Sequence, residues 1–321
     1  MASIEKLIKS FEALKVVQPS TGGEEPLHKK KKQCHLKRRR LHIVPTLQML
    51  FALQAYGLTQ IFLNFWAFLW KAFFCCDDED SDVRMMADEC LNRTIKTLLD
   101  SHLGRLQAEL YKEIKKNGPG RSLRVALGKF GDLCHLIKTQ KCRAYTVNLI
   151  PCFVRISQRS EEESVQEALT NTVVRAMPML GQFTNDNDIK MLLRAFLPNL
   201  SCPSALVRRC AALSLVTVCQ WSRRPNVFLL WLLNDLFSLV LPVQENHPAH
   251  TVVGVLVCFR HLIPHLGSKP TKEMPALKGA EKSGPTLEHF LKIYELLLYH
   301  VSSTDQTVVT AALEALNQLL T

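Results

Sequence analysis

The residues best placed by type and spacing to do chemistry are two histidine pairs and one acidic run. His261 and His265 stand one helical turn apart in HLIPH, with His247 and His250 upstream, a pattern that could offer imidazole nitrogens to a divalent metal. No HExxH glutamate accompanies them, and Pro264 between the pair is expected to spoil the helix that would align the two rings. Surface or interface histidines are the plainer reading. In the acidic run, Asp78, Asp80, Asp82 and Glu89 fall at the ligand spacing of a calcium loop, but Val83 stands where such a loop requires glycine. Acidic residues at the start of a helix have a sufficient role in facing the positive end of its dipole. The sequence contains no GxSxG, no Walker phosphate loop and no GxGxxG. The expectation is therefore no catalytic residue, no metal site and no cofactor, in a chain that is not an enzyme.

Cysteine usage points the same way. The eleven cysteines are odd in number, include no CxxC pair and lie mostly in helix-patterned stretches, which suits reduced, buried thiols in a cytosolic or nuclear protein. A net charge of +11 would suit nucleic acid or an anionic membrane, yet much of it sits in one short segment. Lys29, Lys30, Lys31, Lys32, Lys37, Arg38, Arg39 and Arg40 read either as a nuclear import signal or as a solvated tail. No aromatic residue interleaves with them, so stacking on bases is not supported and no specific nucleic-acid partner is expected.

The elements that must carry these residues begin with a short amphipathic helix over 1–17. Ile4, Leu7, Ile8, Phe11 and Leu14 share one stripe, Ser3 is positioned as N-cap, and Glu5 to Lys9 is a favourable i,i+4 pair. Alone in water it is near the length at which nucleation cost is recovered, so it calls for a membrane interface, a partner groove or the protein's own array. Residues 18–42, with Pro19, Gly22, Gly23, Pro26 and the basic run, read as a disordered linker. Ile43 to Trp70 carries no charged residue and by length could span a membrane, although Pro45, Gln48, Gln54, Gln60 and Asn64 weaken the run. A signal-anchored membrane protein with a helical-repeat domain is thus the alternative to a soluble scaffold.

From residue 77 onward a phrase recurs: a polar turn, a Val or Leu, often Arg, then an Ala-rich helix. Its anchors are Val83, Leu123, Val165, Val207, Val252 and Val308, at intervals of 40, 42, 42, 45 and 56 residues. Four of the five intervals fit a helix-hairpin repeat of about 40–47 residues. The long one holds GSKPTKEMPALKGAEKSGP, a surface loop within 266–286. Apolar helical runs precede the anchors, with Pro151, Pro198 and Pro242 expected to kink or stop them. One hairpin cannot bury its own faces, so the fold class is all-α: an α-solenoid of HEAT-type hairpins over 77–321, preceded by the amphipathic helix and the basic linker.

At this point the residues carry a resemblance. MASIEKLIKSFEALK and EEPLH, followed in order by SDVRMMADECLN, LYKEIKKNG, RSLRVAL, QKCRAY, FTNDNDIKMLLRAF and YELLLYH, resemble the N-terminal region of the huntingtin family. The likeness covers 1–17 and 77–321. The family's glutamine tract is reduced to Gln18 and its proline tract to Pro19, and Ala13 and Val16 replace serines that are modifiable in some members. Residues 33 to about 70 match nothing in the family, and the abrupt break and resumption around segment 43–76 have the signature of a mispredicted exon. The array ends at Thr321 with no capping unit, as expected of a piece of a longer one. The resemblance implies a non-catalytic scaffold in vesicle and microtubule-based transport and in autophagy, with transport adaptors and a partner of tetratricopeptide-like repeats. It further implies membrane or export-receptor contact through Ile4, Leu7, Ile8, Phe11 and Leu14. The implied location is the cytoplasm, with nuclear shuttling and peripheral association with endomembranes.

Overall fold

Apolar residues at helical spacing, interrupted by short polar turns, wind the chain into helices from residue 81 to residue 320. The computed structural model describes residues 75–118, 120–243, 247–266 and 285–320, with the backbone alone at Thr94, Thr97, Asp100 and Ser101. The amphipathic helix, the basic linker, the uncharged run and nearly all of the loop at 266–286 lie outside the described residues. Two units, 1–97 and 98–321, are distinguished.

The first unit contributes the start of α1 (Ser81–Lys116). Asp78 Oδ1 accepts from the Asp80 amide at 3.0 Å and Asp80 Oδ1 from the Asp82 amide at 2.9 Å, so two of the supposed calcium ligands close the turns that lead into the helix. Val83, Ala87, Cys90 and Leu91 are buried. The backbone leaves helical geometry at His102, with φ −137° and ψ 22°, so two helices are joined there without a loop.

The second unit holds the rest of α1 and nine further helices among the described residues. These are α2 (Gly120–Leu133), α3 (Thr139–Ser157), α4 (Glu163–Leu180), α5 (Asp186–Phe196), α6 (Ala205–Gln220), α7 (Pro225–Val240), α8 (Ala249–Leu266), α9 (Leu287–Val301) and α10 (Gln306–Leu320). No strand occurs among the described residues. Helices pair as α3–α4, α5–α6, α7–α8 and α9–α10, and the second helices α2, α4, α6, α8 and α10 pack on one another in chain order. This is an α-solenoid of HEAT-type hairpins. Among the first helices, α3 packs on α5, whereas α5 and α7, and α7 and α9, meet little. The second-helix row is drawn together because it buries small residues, including Ala126, Ala176, Ala211, Ala212, Ala311 and Ala312. Phe130, Phe153, Phe196, Phe228 and Phe259 fill the interior.

Hydrogen bonds between neighbouring hairpins repeat the sequence period. Thr172 Oγ1 donates to Leu127 O at 2.9 Å, Thr170 Oγ1 to Cys210 O at 3.2 Å, and Asn199 Nδ2 to Ser157 O at 2.8 Å, across separations of 45, 40 and 42 residues. Where the inserted loop intervenes the separation lengthens: Arg260 pairs with Glu314 at 2.6 Å across 54 residues, and Tyr299 Oη donates to Val243 O at 3.2 Å across 56. The same physical step is therefore taken at each seam, whatever length of chain connects the hairpins.

Two expectations about proline are corrected. Helix α3 runs unbroken through Pro151, and α8 through Pro264 to Leu266. Each proline is exposed, while the opposite faces, with Ile150 and Phe153 in α3 and Leu262 and Ile263 in α8, are buried, and that packing outweighs the loss of one backbone hydrogen bond. Pro198 lies in the 3₁₀ turn Leu197–Ser201 that ends α5, and Pro242 follows α7 in a cis peptide with Leu241.

Candidate protein-interaction surface

Each anchor sits in the first turn of its helix: Val83 in α1, Leu123 in α2, Val165 in α4, Val207 in α6, Val252 in α8 and Val308 in α10, all buried. The residue that follows gives the recurring Arg a structural role. Arg84 Nη1 donates to Asp78 O and Glu79 O, both at 2.8 Å, and Arg208 Nη1 to Cys202 O and Pro203 O, both at 2.7 Å. In the intervening hairpin Gln166 takes this part, its Nε2 donating to Ile156 O and Arg159 O, both at 2.9 Å. A long polar side chain thus reaches back to carbonyls of the preceding turn and fixes the turn against its own helix. Burial of Arg208 lowers its pKa, yet a guanidinium remains charged at any working pH.

Within the second unit, side chains also tie one turn to the next. Arg159 Nη1 donates to Asn117 Oδ1 at 3.2 Å and Gly118 O at 3.0 Å, Arg223 Nε donates to Gln182 O at 2.6 Å, and Arg224 pairs with Asp186. Just before these two arginines, Trp221 is 37% exposed although its backbone presses on Gly181. A Cβ at Gly181 would lie 2.8 Å from the Trp221 carbonyl carbon, so glycine is what lets that turn approach. A partly exposed indole on a fixed turn beside Arg223 and Arg224 has the composition of a protein-binding anchor. Neither the glycine's role nor the indole's exposure has a distinctive sequence signal, beyond a glycine interrupting a helical pattern.

The histidines are not gathered into a site. His247 Nε2 meets Pro242 O at 3.0 Å, His250 is exposed, and His261 and His265 are half-buried on α8. Among the described residues no group of three His, Cys, Asp or Glu is arranged to hold a metal. An open cleft of about 270 Å³ is lined by Gly131, Asp132, His135 and Arg175, and its carboxylate and guanidinium are paired with each other. All ten described cysteines are free, and burial pushes the Cys134 thiol up to about 12 and raises those of Cys219 and Cys258 as well. Residues Ile4 to Leu14 and Lys29 to Arg40 lie outside the described residues. Helix α8 is long and apolar enough to cross a membrane, but much of it is buried and it packs on α6, α7 and α10 as a core helix does.

Burial lowers the pKa of His261, whose neighbours Arg260, Arg209 and His265 add to the effect. It does the same for His265 and for His300, whose buried Nε2 has no hydrogen-bond partner. The unfolded chain therefore takes up protons first as pH drops below about 6.5, so stability is full above that value and declines below it. Urea midpoints are expected to fall between pH 7.5 and pH 5.5, with a shallower fall for His300→Gln; an identical slope in that variant would count against a contribution from His300.

Residues 72–224 match the family described as huntingtin, N-terminal HEAT 1. Huntingtin of Takifugu rubripes is 46% identical over 332 aligned residues, covering all of this chain and 10% of that protein. The HD protein homolog of Dictyostelium discoideum is 28% identical over 223 residues, covering 64% of this chain and 7% of the relative. The chain thus spans a tenth or less of the length of these relatives. Two designed armadillo repeat proteins, one in complex with the peptide (KR)4, overlay on 78% of the chain at 14% identity, with TM-scores of 0.40 and 0.42.

Proposed function

From a chain that belongs to the huntingtin family through its N-terminal HEAT region, we propose a non-catalytic interaction scaffold that serves vesicle and microtubule-based transport and autophagy. The observation that carries this reading is the set of clamped turns: repeated side-chain bonds to turn carbonyls hold successive inter-helix turns in fixed register, so a partner meets a preformed surface. The partners are transport adaptors and a huntingtin-associated protein of tetratricopeptide-like repeats. Residues 1–17 add peripheral contact with endomembranes or an export receptor, and the protein works in the cytoplasm with passage through the nucleus. Calorimetric titration of the full chain with the tetratricopeptide-like partner is expected to show binding that Trp221→Ala weakens at least tenfold while the thermal melt is unchanged. Binding that is insensitive to Trp221 would place the surface elsewhere, and no binding at all would end the adaptor reading.

A membrane-anchored arrangement is favoured by one feature, the uncharged run from Ile43 to Trp70. Alkaline carbonate extraction separates the two readings, since an adaptor held only peripherally is released into the supernatant.

A further inference from the structure

We infer that the groove between the second half of α1 and α3 docks an acidic segment of a partner protein. The kink at His102 sets the second half of α1 apart, and two contacts lay it alongside α3 in the same direction. At the starts of the two helices, a Cβ at Gly104 would lie 3.2 Å from Lys141 Nζ; at their ends, Arg155 Nη2 donates to Lys115 O at 2.7 Å. Between these points Tyr111 lies within electrostatic range of Cys152 and Arg155. By the helical repeat, Ala108 on α1 and Ala144 and Asn148 on α3 belong to the facing stripes, so small side chains floor the groove. The rise along α3 from Lys141 to Arg155 gives it a length of about 20 Å.

Charge identifies the kind of partner. From residue 102 to residue 159 the sequence holds twelve Lys and Arg against three Asp and Glu, whereas from 160 to 266 each kind numbers eight. A second basic excess, separate from the run at 29–40, therefore belongs to the first helices of this unit. Helix α3 contains no carboxylate. Those of the second half of α1, Glu109 and Glu113, are buried and already held by Lys112 and Lys116 at 2.8 and 2.9 Å. Lys115, Lys141 and Arg155 are exposed and form no ion pair among the described residues. Arg155 spends one N–H on the Lys115 carbonyl and keeps the others for a carboxylate. Three uncompensated cations around a shallow floor of small residues thus suit glutamates or aspartates carried on a polypeptide. Other polyanions are served less well. Among the described residues neither helix exposes an aromatic ring on which a base could stack. The large apolar side chain exposed on α3 is Val147, too little to insert into a bilayer.

Fluorescence anisotropy of the full chain with a labelled, glutamate-rich helical peptide of about 14 residues, the length of the groove, tests this. Binding with a Kd of about 10 μM at low salt is expected, weakening as salt is raised. Lys115→Glu/Lys141→Glu is expected to weaken it roughly tenfold or more with an unchanged thermal melt, whereas Lys115→Arg/Lys141→Arg keeps it. Arg38→Glu/Arg39→Glu alters the net charge by the same amount and is expected to change the affinity less than about twofold. Equal losses from the two charge-reversed pairs would mean that the peptide follows net charge alone, and would overturn the inference. So would an absence of binding, or tighter binding of oligothymidine or of phosphatidylserine vesicles under the same conditions. The inference rests on the scaffold reading, but Trp221→Ala is expected to leave peptide binding intact, so loss at the groove and loss at the Trp221 turn are separate outcomes.

Discussion

Val207→Asp is expected to destabilise the chain by about 4 kcal/mol or more, which for a unit of this size lowers the melting midpoint by roughly 10 °C. Val207 is fully buried in the first turn of α6, and α6 packs on α4, α5, α7 and α8, so a carboxylate there has neither water nor a cation to meet. Because each hairpin rests on its neighbours, loss of α6 also takes the packing surface from α4 and α8. The adjacent Leu206, half-exposed, provides the contrast: Leu206→Asp is expected to cost about 1 kcal/mol or less. Urea titration followed by circular dichroism measures both, and similar losses from the two would contradict the helical register on which the repeat rests.

The second prediction turns on a sign. Alanine exceeds glycine in intrinsic helix preference by about 1 kcal/mol, so Gly254→Ala, inside α8, should stabilise the protein if local preference governed the outcome. We expect a net loss of about 2–3 kcal/mol instead. A Cβ at 254 would lie 2.9 Å from the Leu200 carbonyl carbon, closer still to its oxygen, and 3.2 Å from Arg208 Cδ. To admit it, α8 must move off the turn at Leu197–Ser201 and disturb the side chain that holds Cys202 O and Pro203 O. Gly128 in α2 has open space where its Cβ would be, so Gly128→Ala is expected to gain up to about 1 kcal/mol. Stabilisation by both substitutions would mean that the close approach at Gly254 is not maintained in solution.

The period of the array was legible because a buried Val or Leu returns in the first turn of each second helix, and at Arg84, Gln166 and Arg208 the residue after it also closes the preceding turn. What each proline does could not be read in the same way. Whether Pro151 or Pro264 breaks a helix depends on how much apolar surface is buried on either side of it, and that is a tertiary quantity. Gly254 reads in sequence as a weak point in a helix and is in fact where α8 meets the turn at Leu197–Ser201 too closely to admit a Cβ. Thr170, Thr172 and Asn199 look like ordinary polar positions, since a side chain that bonds a neighbouring hairpin's carbonyl leaves no local trace. Leu291 and Leu298 continue the apolar pattern of α9 and are nevertheless exposed, because hydrophobic patterning does not report what covers a side chain.

The row of second helices, each touching the one before and the one after, has a mechanical consequence. Pulled from its ends, such a row cannot share the load over one central core, so it should lengthen hairpin by hairpin, giving way first at its weakest seam and recoiling when released. A row of this construction would behave as a compliant spacer whose length is set by the tension on it.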